Sequence, residues 1–128
     1  MITKIRIVIE SIGSIQAEII NDRNPKTAEA IINALPLEST VNRWGEEIYF
    51  TIPVNIDEED TQTDVESGDI AYWPSGPAFC IFFGPTPIST NEKPKAASSV
   101  NVFGRIVGDA PRLGDAKDGA EIRVELIE

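Results

Sequence analysis

Residues 68–84 read Gly68-Asp69-Ile70-Ala71-Tyr72-Trp73-Pro74-Ser75-Gly76-Pro77-Ala78-Phe79-Cys80-Ile81-Phe82-Phe83-Gly84, two strands that crowd aromatic side chains around a Pro/Gly turn. Such a cluster is either packed core or the wall of a shallow apolar groove beside a loop, the kind of surface that fits a proline-sized ligand. Side chains alternate across a strand, so Phe79, Ile81 and Phe83 face one way while Cys80 and Phe82 face the other. They cannot all line one groove, and one set must be core. Tyr72 and Trp73 share this ambiguity, with Trp73 placed near a rim by the turn that follows it.

Outward from this hairpin the chain keeps a β rhythm. Ile5, Ile7 and Ile9 alternate with Lys4, Arg6 and Val8, and after a turn at Gly13 the pattern resumes with Ile15, Ala17 and Ile19, which predicts a hairpin. Asn24 followed by Pro25 is an N-cap with proline at the first helical position. Ala28, Ile31, Ile32 and Leu35 then recur at helical spacing, predicting one amphipathic helix over 25–35 that Pro36 stops. Ile48, Phe50, Ile52 and Val54 alternate with Glu47, Tyr49 and Thr51. Residues 100–107 form a further strand, and 85–94 a long loop with room for one helical turn. Ile122, Val124 and Leu126 face inward in a last strand, whose outward acids would meet Lys4 and Arg6 if first and last strands pair. Seven or eight short strands with a single helix, and no repeat or linker, predict one domain over 1–128, a mainly β, closed antiparallel barrel.

The composition restricts the chemistry. The 128 residues include no histidine, one cysteine and a net charge of −10. Without histidine there is no imidazole base, His-ligated metal or Ser-His-Asp triad, and Cys80, lone and set in an apolar run, reads as a small buried hydrophobe. No run approaches the roughly 18 apolar residues of a membrane span, and the first residues lack a signal peptide's pattern, so the expected location is cytoplasmic. Between Trp44 and Glu92 lie ten acids and no Lys or Arg, while the remainder balances. That sign disfavours nucleic-acid and membrane partners and leaves a cationic or neutral partner, a basic protein among them. The acidic tract over 57–64 has no apolar period and reads as a solvated loop. Its carboxylates also suit a hard cation, though the spacing and central glycine of an EF-hand are missing.

Ile15-Gln16-Ala17-Glu18-Ile19, then Pro25-Lys26-Thr27-Ala28-Glu29, and later Val102-Phe103-Gly104-Arg105-Ile106-Val107 resemble, in order, the opening and a late strand of the cyclophilins. Trp44-Gly45-Glu46-Glu47-Ile48-Tyr49-Phe50 with Gly68-Asp69-Ile70-Ala71-Tyr72-Trp73-Pro74 is similar to the short prokaryotic cyclophilin-like proteins. This resemblance implies a compact eight-stranded cyclophilin-like barrel with one main capping helix. It also implies a groove for a proline-containing peptide or other small apolar ligand; no cofactor and no metal are expected, because the residues show neither a phosphate-cradling glycine loop nor a zinc motif. Full cyclophilins carry a Phe-His-Arg-Val motif and a Gln-Gly-Gly-Asp motif, both missing here, so peptidyl-prolyl isomerase activity is expected to be weak or absent. Prolyl isomerisation needs an apolar pocket and a donor to the prolyl nitrogen, acting against a barrier of roughly 18–20 kcal/mol. Arg43 is the basic residue nearest the family arginine and the candidate catalytic donor; a surface cation–π pair with the adjacent Trp44 is its other reading. Trp44, Tyr49, Trp73, Phe79, Phe82 and Phe83 are the ligand-binding candidates. The alternative function is a non-catalytic interaction module using the acidic 57–69 loop to bind a basic partner.

Overall fold

The computed structural model describes residues 2–108 and 110–127, without the side chain of Pro111. In chain order the elements are β1 (Ile2–Ile9), β2 (Gly13–Ile20), α1 (Pro25–Ala34), β3 (Leu37–Thr40), β4 (Asn42–Arg43), β5 (Glu47–Thr51), β6 (Gln62–Asp64), β7 (Asp69–Trp73), β8 (Ala78–Phe82), β9 (Lys95–Ile106), a 3-10 turn at Ala110–Asp115, and β10 (Glu121–Leu126). The fold is mainly β and antiparallel with one α-helix, as the alternation predicts. The sheet runs β3-β10-β1-β2-β9-β7-β8-β5-β4, and β6 pairs with β9 away from that path.

The two end strands of this order are separated in sequence by Val41 alone. No ladder joins β3 to β4 among the described residues, and the chain itself crosses the seam of the barrel. Val41 is held there by two backbone bonds: its N–H donates to Ala120 O at 2.9 Å, and its carbonyl accepts from Gly119 N–H at 2.7 Å. Among the described residues ten strands stand where seven or eight were expected. The short β4 and β6 lack the run length that makes a strand visible in a sequence.

The pattern-based expectations hold best where one face is plainly apolar. Ile5, Ile7, Ile9, Ile15, Ala17 and Ile19 are all buried, and β1 pairs with β10 as the charge pattern suggests, with Arg6 opposite Glu125 and 3.7 Å from it. Leu126, expected inward, is 42% exposed. β3 covers β10 only over Glu121 to Val124, so the last residue of the strand lies beyond that cover. The 85–94 loop has no helical turn. A hydrogen-bonded turn stands there instead, with Ser89 N–H donating to Thr86 O at 3.0 Å.

The acidic tract keeps Asp57, Glu58, Asp60 and Asp64 exposed, as its composition suggests, but it is anchored to the body of the fold. Asn24 makes no side-chain cap on α1; that role falls to Glu59, whose carboxylate accepts from the N–H groups of Lys26 and Thr27 at 3.2 Å each and from Thr27 Oγ1 at 3.0 Å. An anion at a helix N-terminus satisfies donors that have no partner within the helix. Asn24 and Asn101, both fully buried, fasten the tract from below. Asn24 Oδ1 accepts from Asp60 N–H at 2.7 Å, and Asn101 Oδ1 accepts from Glu59 N–H at 3.0 Å. Asn101 Nδ2 completes the latch by donating to Thr27 Oγ1 and to Asp57 O.

Two apolar clusters divide the interior. The larger fills the barrel and includes Phe50, Phe79, Phe83 and Phe103, with Phe50 stacked on Phe79 at 5.0 Å between ring centroids. The smaller lies on the outer side of β5, β8, β7 and β9 and contains Val65, Ala71, Cys80, Phe82, Ala96 and Val100. All five residues of β8 are therefore buried. The N-terminal half of β9 continues past the end of its pairing with β7 and turns to β6, building this outer layer.

Candidate functional site

The outer layer holds a cavity of about 230 Å³ lined by Trp44, Glu47, Tyr49, Trp73, Cys80, Phe82, Ala96, Ala97 and Val100. Strand parity assembles it. On β5 the inward residues Ile48 and Phe50 alternate with Glu47 and Tyr49, and antiparallel pairing sets Glu47 opposite Phe82 and Tyr49 opposite Cys80. Trp73 ends β7 and donates its indole N–H to Ser98 Oγ at 2.6 Å, which ties it to β9. Its ring meets Tyr49 edge-on with centroids 6.1 Å apart. Trp44 joins from the β4–β5 turn, where its N–H donates to Glu47 O at 2.9 Å and its carbonyl accepts Glu47 N–H at 3.1 Å. Trp44, Tyr49 and Trp73 keep partial exposure and form the wall, while Cys80, Phe82, Ala96 and Val100 are buried and form the floor.

Four of the six aromatic candidates thus meet in one place. Phe79 and Phe83 do not; they lie on the inward face of β8 and its continuation, inside the barrel cluster. Tyr72 is also inward. Its hydroxyl donates to Val54 O at 2.7 Å and accepts from Ile56 N–H at 3.1 Å, as a buried phenol requires.

Arg43 stands apart from this lining. Its Nε donates to Gly45 O at 2.9 Å, Nη1 donates to Gly114 O at 2.6 Å and Ala116 O at 2.8 Å, and Nη2 reaches both carboxylate oxygens of Glu46 at 3.3 Å. A guanidinium has five N–H donors, and five bonds engage them here. The ring beneath it is that of Phe83, 5.2 Å from the guanidinium carbon, and not that of Trp44.

The residue that sequence reasoning missed is Glu47. It is only 5% exposed, and burial pushes its pKa up from 4.5 to about 7, with a hydrogen bond from the Cys80 thiol opposing the rise. Cys80 is itself pushed well above the ordinary thiol range, first by burial and then by Glu47. Alternation already put Glu47 on the face of Tyr49. The pairing that carries this face over Cys80 and Phe82, and the cover from 95–100, were beyond any local pattern.

Residues 3–125 match the family described as Cyclophilin-like. The chain belongs to that family. Among solved structures, this cyclophilin-like protein is similar to the hypothetical protein AF2241 from Archaeoglobus fulgidus, determined in solution. The two are 44% identical with a TM-score of 0.81, over 98% of this chain and 95% of that one. No curated protein matches the chain. Among the described residues no helix is long and apolar enough to cross a membrane, and no group of three or more Cys, Asp or Glu is placed to hold a metal ion.

Proposed function

We propose that this cyclophilin-like protein binds a small apolar or proline-containing ligand in the outer-layer pocket, with peptidyl-prolyl isomerisation weak or absent. The observation that carries the reading is the convergence of Trp44, Tyr49, Trp73 and Phe82 on one cavity. Aromatic walls with few polar groups desolvate an apolar ring and hold it by its faces. Isomerisation asks for more, because a donor must favour the twisted amide over the planar one. The saturation of Arg43 by carbonyl and carboxylate acceptors supports a protein that binds without accelerating rotation. A basic macromolecular partner is a weaker reading, since Glu59 and Asp60 of the acidic tract are engaged within the chain.

The test is a cis/trans exchange measurement on a proline peptide at several protein concentrations, with tryptophan fluorescence read on the same samples. Uncatalysed exchange takes tens to hundreds of seconds, so small accelerations are visible. Saturable fluorescence change with an exchange rate within about twofold of background is the expected outcome. Arg43→Ala should leave that rate unchanged while lowering stability by about 2 to 4 kcal/mol, the order expected when charge-assisted bonds to several carbonyls are lost. A rate like that of a full cyclophilin, abolished by Arg43→Ala, would overturn the proposal.

A further inference from the structure

Glu47 is an acid without a cation. It takes part in none of the salt bridges among the described residues, and its neighbours in the cavity are aromatic rings, alanines, a valine and a thiol. A purely apolar ligand would seal this carboxyl further from water and raise the cost of its charge. A ligand bringing a positive charge would remove that cost. The rings favour the same partner, since the faces of tryptophan and tyrosine attract ammonium groups. So does the long-range field, because the sequence from Trp44 to Glu92 contributes ten acids and no Lys or Arg.

Resting on the pocket reading above, we propose that the ligand is a small primary or secondary amine, bound as its ammonium ion with Glu47 as counter-ion and Trp44, Tyr49 and Trp73 around its apolar body. The size is consistent with this. At roughly 30 Å³ for each water-sized group, the cavity takes a body of about seven heavy atoms, enough for one five-membered ring and its ammonium. A neutral amide is the competing ligand, since a protonated Glu47 could donate to its carbonyl, but it brings no positive charge for the ring faces or the acidic field to attract.

The experiment titrates the full chain with cyclopentylamine, cyclopentanol and cyclopentanecarboxamide at one neutral pH, following tryptophan fluorescence and heat. For the unaltered protein we expect the amine to bind at least about tenfold more tightly than either neutral probe, as a charge-assisted contact implies. Glu47→Gln keeps the shape and removes the charge; it should weaken the amine at least about tenfold and leave the alcohol within about twofold. Ala97→Trp, at an exposed position on the cavity lining, should abolish binding of all three. If the alcohol or the amide binds as well as the amine, or Glu47→Gln leaves the amine unaffected, the amine inference is overturned while the aromatic pocket stands. Amine binding that survives Ala97→Trp would place the ammonium on the acidic surface and overturn it equally. Failure of all three probes removes both the inference and the pocket reading beneath it.

Discussion

Glu47 lies opposite Phe82 with a thiol as its hydrogen-bonding neighbour, so the folded protein resists ionising it while the unfolded chain does not. The sign follows from proton counting. Between pH about 4.5 and about 7 the folded state holds the extra proton, so raising the pH through that window progressively costs stability, and above it the cost is constant. A rise of this size corresponds to about 3 kcal/mol. Glu47→Gln should therefore stabilise the protein at pH 8 by up to about 3 kcal/mol and change it little near pH 4.5, as denaturant unfolding at both values will show. Equal effects at the two pH values would mean that Glu47 is ionised without penalty. Arg43 shows the opposite economy: its charge is spent on carbonyls of Gly114 and Ala116, joining the 3-10 turn to β4. Both residues stand in one short stretch of sequence, and nothing local distinguishes the structural cation from the pocket acid.

At the scale of elements, the helix and the acidic tract depend on each other. α1 is a ten-residue helix, short enough to be marginal alone, and its first turn is completed by Glu59 from a segment more than thirty residues away. Asn101→Ala removes the buried amide that links Thr27, Asp57 and Glu59. It should cost about 2 to 4 kcal/mol, since unsatisfied groups are left behind at about 1 to 3 kcal/mol each. Hydrogen exchange should quicken in α1 and 57–60 together. Faster exchange in the tract with α1 unchanged would show the two to be independent. The sequence made β1, β2, α1, β5 and β10 legible because each sets an apolar face against a more polar one, and period is then a faithful record of burial, while β7 and β8, buried on both faces, were legible as short apolar runs bounded by turn residues. It concealed the latch, since carboxylates and asparagines carry no period. It also concealed the early start of β9, because that end of the strand pairs, through Lys95 and Val100, with the three-residue β6 and not with the barrel path.

The whole molecule is two half-sheets rolled together. β3, β10, β1 and β2 form one and β9, β7, β8, β5 and β4 the other, joined by the chain crossing at Val41 and by a ladder in which Ile19 faces Gly104, Glu18 faces Arg105 and Ala17 faces Ile106. Gly104 lets that ladder close. A Cβ there would stand 2.4 Å from the backbone oxygen of Glu18, so Gly104→Ala must push the halves apart and should cost about 1 to 3 kcal/mol, as overpacking usually does. An unchanged denaturation midpoint would show that the ladder gives way freely. Which of the aromatic residues form a pocket was undecidable before the halves were placed, since parity separates two faces without saying which faces inward. That same parity divides responsibilities. On β5 and β8 the positions that hold the barrel together, Ile48, Phe50, Phe79 and Ile81, alternate with positions that touch only the pocket layer, Tyr49, Cys80 and Phe82. Mutational drift or laboratory selection can then rewrite what the cavity recognises one alternate residue at a time, while the architecture that displays it is inherited intact.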